Sequence, residues 1–332
     1  VEILVSVSLG LMVWFAGKRV YSGFDGPGDI AMFVILINQF FRPIRMLADR
    51  INTLQMGMVS SERVFKVMDT EAAIDPVENG STEKIRGEVV FEDVWFAYKN
   101  EDWVLKGISF GVKPGETIAL VGATGSGKTS IINLVNRFYE FQKGSIRIDG
   151  KDIRSYNLKN LRSHMGIVLQ DVFLFSDTIF NNITLYNPEI SRERVIAASK
   201  AVGAHDFIMQ LPGDYDYDVR ERGGTLSVGQ RQLIAFIRAY VYDPTILVLD
   251  EATSSIDTES EILIQRATKT LTKGRTSIVI AHRLATIQNA DRILVIDHGQ
   301  IIESGSHQQL LAMGGHYKKL FELQFRDEEV VK

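Results

Sequence analysis

The sequence predicts an α/β domain built on a mainly parallel sheet and preceded by two apolar helical segments of membrane type. Three observations carry this. Short strand-like runs alternate with helical segments from about residue 87 to residue 302. A glycine-rich loop with a terminal Lys-Thr pair sits between a strand run and a helix run at 122–129. Long uncharged apolar stretches crowd into the first 68 residues.

At 332 residues the chain has room for about two domains, since one domain typically takes ~100–200 residues. Hydrophobic residues make up 45% and charged residues 23%, which excludes a disordered chain. A formal charge of −4 provides no basic surface, so nucleic acid is not an expected partner. The chain has no cysteine, which excludes disulfides and thiolate metal sites. It opens at Val1 inside an apolar run with no charged segment before it. The expectation is a segment whose natural N-terminus lies upstream, rather than a secretory signal.

Residues 1–16 carry one charge, Glu2, among Val, Ile, Leu, Met, Trp and Phe. The run falls just short of the ~20 residues that cross a hydrocarbon core, as a span cut at its start would. Residues 17–29 read as a polar, glycine-rich turn. A second apolar run covers 30–41, and Leu47, Ile51, Leu54, Met58 and Phe65 continue it at helical spacing. One helix over 30–65 would extend roughly 54 Å, longer than a bilayer core of about 30 Å, and so would leave the membrane and run on into water. Pro43 is expected to kink it. Asn38-Gln39 interrupts the run and keeps open the alternative of two buried helices in a soluble domain. The boundaries read as 1–68 for the membrane part, 69–86 for a linker, 87–325 for the α/β domain and 326–332 for a charged, fraying tail. Strands are expected at 87–96, 108–112, 117–121, 166–169, 246–249, 277–281 and 292–296.

The run 122–129 fits G-x-x-x-x-G-K followed by Ser or Thr, with a strand before it and a helix from Ser130 after it. Gly122, Gly125 and Gly127 let the backbone wrap with its N–H groups inward, and Thr124 and Ser126 complete the turn. Lys128 brings positive charge to the β- and γ-phosphates of a nucleotide, and the Thr129 hydroxyl suits Mg²⁺. Four aliphatic residues, 246–249, then end in Asp250-Glu251. A buried strand of that kind delivers both acids to the carboxyl edge of the sheet, beside the phosphates. Asp250 would hold Mg²⁺ and Glu251 would polarise an attacking water.

These pieces resemble the C-terminal part of an ABC exporter half-transporter, whose fold is an α/β P-loop ATPase domain with a helical subdomain, preceded by transmembrane helices. Leu226-Ser227-Val228-Gly229-Gln230 is similar to that family's signature sequence. Tyr98, Gln170, Ser254-Ser255-Ile256-Asp257 and His282 match further family positions in order, and Glu221 falls in the segment that faces the membrane domains. The resemblance implies two ATP molecules sandwiched between two such domains. Tyr98 would stack on adenine, and Ser130 would lie beside the phosphates. Ser227, Gly229 and Gln230 would serve the γ-phosphate bound in the opposite subunit. Gln170 would reach Mg²⁺, His282 the γ-phosphate, and Asp257 would couple the two sites. It further implies a second half-transporter subunit, a cell membrane crossed several times with the ATP domain in the cytoplasm, and a small molecule, lipid or peptide as cargo.

Two positions depart from the family pattern. Val228 stands where glycine is usual, and 254–257 read Ser-Ser-Ile-Asp where Ser-Ala-Leu-Asp is commoner. Both a homodimer and a heterodimer fit. The competing class is a soluble ABC-type mechanical ATPase of DNA repair or translation, and the apolar N-terminal runs discriminate against it. His164, His205, His298, His307 and His316 lack metal-site spacing. The aromatics Phe138, Tyr139 and Phe141 read as packing, and the alternating acids 214–218 as a solvated loop.

Overall fold

A computed structural model describes residues 2–22, 26–70, 74, 80–250, 258–281 and 283–329. The chain divides into two compact units, Val1–Ala72 and Ala73–Lys332.

The first unit holds two helices, α1 (Glu2–Tyr21) and α2 (Pro27–Met68). The predicted turn at 17–29 is shorter than expected. Residues 17–21 stay helical, with Lys18 and Arg19 in the last turn of α1, where cations complement the helix dipole. The start of α2 is equally built into the sequence. Pro27 takes the first helical turn, and the Asp29 carboxylate accepts the Gly26 N–H at 2.9 Å. The helix then runs unbroken for 42 residues, through Pro43. Of the described residues of α1, Val5 alone is buried. Trp14, Phe40, Leu47, Leu54 and Phe65 are exposed. Both helices are long and apolar enough to cross a membrane.

The second unit opens with β1 (Val89–Ala97), β2 (Trp103–Val112), β3 (Thr117–Val121), α3 (Lys128–Val135), β4 (Lys143–Ile148) and β5 (Lys151–Asp152). A helical stretch follows: α4 (Leu158–Ser163), β6 (Met165–Val168), α5 (Ile179–Thr184), α6 (Arg192–Val202), α7 (His205–Met209) and α8 (Val228–Tyr242). The chain then alternates through β7 (Ile246–Asp250), α9 (Thr258–Thr272), β8 (Thr276–Ile280), α10 (Leu284–Asn289), β9 (Arg292–Asp297) and β10 (Gln300–Gly305). It finishes with α11 (His307–Met313) and α12 (His316–Glu329).

Two sheets form where the sequence reading expected one. The larger has the order β10-β9-β3-β8-β7-β6, parallel except for β10 against β9. The smaller, β2-β1-β4-β5, is antiparallel. The period-2 geometry of the large sheet divides the core into two layers. Ile118, Leu120, Val248, Ile278 and Ile280 point to the face covered by α3 and the antiparallel sheet. Ala119, Val121, Leu249, Val279 and Val295 point to the face covered by α8, α9 and their neighbours. Burial on both faces explains why these strands are unbroken aliphatic runs.

The second half of the predicted linker is docked on this unit. Ile85 is buried, and the N–H groups of Arg86, Gly87 and Glu88 donate to the Asp149 carboxylate at 2.5, 3.1 and 2.9 Å. The tail is helical as far as Glu329, and the Glu303 carboxylate accepts the first-turn N–H groups of His316 and Tyr317.

Candidate functional site

Four parallel strands bring their carboxyl ends to one edge. Leu120 of β3 pairs with Ile280 of β8, Ile280 with Asp250 of β7, and Leu249 of β7 with Val168 of β6. The segments leaving those ends are 122–127, Gln170 and Asp250, which far-separated stretches of sequence supplied. Ligands of open α/β sheets bind at such an edge.

The loop after β3 is shaped by its glycines. A Cβ on Gly122 would strike the Ile296 carbonyl of β9. Gly127 has φ +111°, and a Cβ there would lie 2.7 Å from Leu105 Cδ2. Its carbonyl accepts the Ser130 and Ile131 N–H groups at 3.1 and 3.2 Å and so starts α3. The first N–H groups of a helix lack intrahelical acceptors and favour anions. Lys128 is buried, and its Nζ donates to the Gly122 and Ala123 carbonyls at 2.8 and 2.9 Å.

Beside the loop lies a cavity of about 450 Å³, within the usual range for small-molecule sites. Thr124, Gly125, Gly127, Lys128, Thr129 and Ser130 line one side of it. Tyr98, Gln170 and Asp250 face them, with Val104 and Ile280 as apolar walls. Burial pushes the Lys128 ammonium below its ordinary value, partly opposed by the Asp250 charge. Burial pushes the Asp250 carboxyl up; Lys128 opposes that and Asp171 adds to it. Each partner therefore opposes the loss of charge that burial imposes on the other.

Tyr98 is half exposed and held from behind. Asn133 Nδ2 donates to its hydroxyl at 3.0 Å, and the hydroxyl shares a bond with Ser130 Oγ at 3.1 Å. Tyr139 meets it edge to face with centroids 5.0 Å apart. Tyr139, expected only to pack, and Asn133, which no motif marks, both fix the exposed ring. Gly122 and Ser126 do not line the cavity. Gly122 supplies a carbonyl to Lys128, and Ser126 is buried with no partner for its Oγ among the described residues.

The comparisons with known proteins agree with this geometry. Residues 105–254 match the family model described as ABC transporter. Residues 105–254 belong to the ABC transporter family. It is 48% identical over 326 residues to the ABC transporter ATP-binding protein YknV of Bacillus subtilis, covering 98% of this chain and 54% of that protein. It is 46% identical over 331 residues to an ATP-dependent lipid A-core flippase of Methylobacillus flagellatus, covering 98% of this chain and 55% of that protein. A solved bacterial Atm1-family ABC exporter with ATP bound superposes with a TM-score of 0.74 at 38% identity, covering 97% of this chain and 57% of that one. The chain thus spans about half the length of these ABC relatives.

The signature residues stand apart from the cavity. Ser227 caps α8, its Oγ accepting the Gln230 N–H at 3.2 Å while Gln230 Oε1 accepts the Ser227 N–H at 2.9 Å. Ser227 and Val228 are exposed, Gly229 is buried, and none of Ser227, Gly229 and Gln230 lines the cavity. Arg231 Nη1 donates to the Leu226 carbonyl at 2.7 Å and ties α8 to the turn that carries Glu221. Glu251, the segment 254–257 with Asp257, and His282 lie outside the described residues. Among the described residues no cluster of His, Asp or Glu could hold a metal ion by itself. His205 and His307 instead share hydrogen bonds with Tyr215 and Tyr317 at 2.9 and 2.6 Å.

Proposed function

We propose that this chain is the ATP-binding and ATP-hydrolysing subunit of a membrane exporter that works with a second half-transporter subunit. The observation that carries this is the cavity in which the phosphate loop, Tyr98, Gln170 and Asp250 meet. ATP suits its two ends. The aromatic ring of Tyr98 offers a stacking face for adenine, while the loop amides, the α3 N-terminus and Lys128 offer donors for phosphates.

The oxygen donors of Thr129, Asp250 and Gln170 line one cavity and are the hard ligands that Mg²⁺ takes. Bound Mg²⁺ would neutralise charge on the β- and γ-phosphates. Lys128 would exchange the carbonyls of Gly122 and Ala123 for phosphate oxygens, its charge sustained by Asp250. Glu251 would orient and deprotonate the attacking water, His282 would hold the γ-phosphate, and Asp257 would link the two sites. Ser227, Gly229 and Gln230 stand away from their own cavity, so they are free to complete the cavity of a second subunit.

The whole assembly would sit in the cell membrane, crossed by α1 and α2 with the ATPase unit in the cytoplasm. Its cargo would be a drug, a lipid or a peptide, and the likeness to lipid A-core flippases supports a lipid. The uncovered apolar surfaces of α1 and α2 speak against a soluble mechanical ATPase. Glu251→Gln is expected to abolish turnover while keeping ATP binding and ATP-dependent association of subunits. Unchanged hydrolysis in that variant would sink the assignment of Glu251.

A further inference from the structure

A second cavity, of about 640 Å³, lies between α9 and α10 and reaches the turns before β3 and β9. It shares no residue with the nucleotide cavity. Thr117 opens β3 and Asp291 precedes β9, so this site reaches the amino-terminal edge of the sheet, opposite the phosphate loop.

Its walls are sorted by chemistry. Ile262 and Ala285 contribute an apolar surface. Arg266, Lys269 and Lys273 contribute charge at spacings of three and four, which places them on one stripe continuing from α9. All three are exposed, and none forms an ion pair among the described residues. The same three cations also border a neighbouring hollow of about 690 Å³. Like charges at such spacing repel, which a bound anion would reverse. The carboxylate in the lining, Asp291, is turned to the backbone, where it accepts the Thr117 N–H at 2.8 Å.

We infer that this cavity is a binding site for a small organic anion with an apolar body, an aryl or alkyl phosphate or sulfonate in chemical class. Arg266 and Lys269 hold the anionic group, and Ile262 and Ala285 seat the body. The volume suits a compact soluble molecule rather than a macromolecule. This site stands independently of the export reading.

The test is calorimetric titration of the full chain in detergent, with saturating ADP present so that the phosphate loop is filled. Phenyl phosphate is expected to bind once per chain, and inorganic phosphate about tenfold more weakly because it lacks the body. Changing Arg266→Gln and Lys269→Gln together, both exposed and outside the nucleotide site, is expected to weaken phenyl phosphate by about tenfold or more and leave ADP affinity unchanged. Absence of saturable binding, equal affinity for inorganic phosphate, or unchanged affinity in the double variant overturns the assignment.

Discussion

Ser227 carries two loads that substitution can separate. In this chain its Oγ accepts the Gln230 N–H at 3.2 Å and caps α8. In the proposed assembly it faces the γ-phosphate held by the other subunit. Ser227→Ala removes the cap, and such losses cost about 1 kcal/mol of stability. Ser227→Asp keeps it, since aspartate caps a helix as well as serine does, but it adds a negative charge. At about 4 Å from a phosphate charge and an effective dielectric near 20, the repulsion is about 4 kcal/mol, or roughly a thousandfold in affinity for the ATP-bound partner. The two readouts should therefore order the variants differently. In thermal unfolding the Asp variant should match the wild type and the Ala variant should fall below it. In steady-state turnover the Ala variant should retain substantial activity and the Asp variant should be nearly silent. Wild-type turnover by Ser227→Asp would refute the phosphate contact, and an Asp variant that melts with the Ala variant would refute the cap.

Gly127→Ala would place a Cβ 2.7 Å from the Leu105 side chain, itself fully buried, at φ +111°. Strain and overpacking together should cost about 2–6 kcal/mol in denaturant unfolding, and a loss under about 1 kcal/mol would contradict the geometry. Burial lifts the Asp250 carboxyl above its ordinary 3.8, and Asp171 adds to the lift. The folded state thus holds that proton more tightly than the unfolded chain, so Asp250 costs stability as pH rises through the window above 3.8. Turnover needs the ionised form, and the acid limb of kcat/KM should lie above 3.8 and move to lower pH in Asp171→Asn. An unmoved limb, or one moved upward, would show that Asp171 does not act on Asp250.

The large sheet and its phosphate loop were legible because both rest on local rules. Aliphatic runs such as 246–249 mark strands buried on both faces, and the loop's residue types follow from backbone geometry. The antiparallel sheet was not legible as a sheet. Its strands pair across long separations, Val89 with both Val112 and Ile148, and no short-range pattern records that. Residues 17–21 were misread because glycine and two cations suggest a turn, whereas Lys18 and Arg19 there close a helix. In the site, each motif was readable singly, but the support of Tyr98 by Asn133 and Tyr139 depends on how α3 lies against β1. Ser126 shows the converse: its place in the loop is plain from the motif, but the burial of its side chain is not.

The central claim is that each ATP site is composite, with the phosphate loop of one subunit closed by the signature of another. Mixing two inactive copies of the full chain, Lys128→Met and Ser227→Asp, tests this most directly. About half of randomly paired dimers would be mixed, and each mixed dimer would hold one site with both lesions and one with neither. Turnover should recover to roughly a quarter of the wild-type rate in the mixture, from near zero in either variant alone. A mixture that stays as inactive as its components would contradict the account.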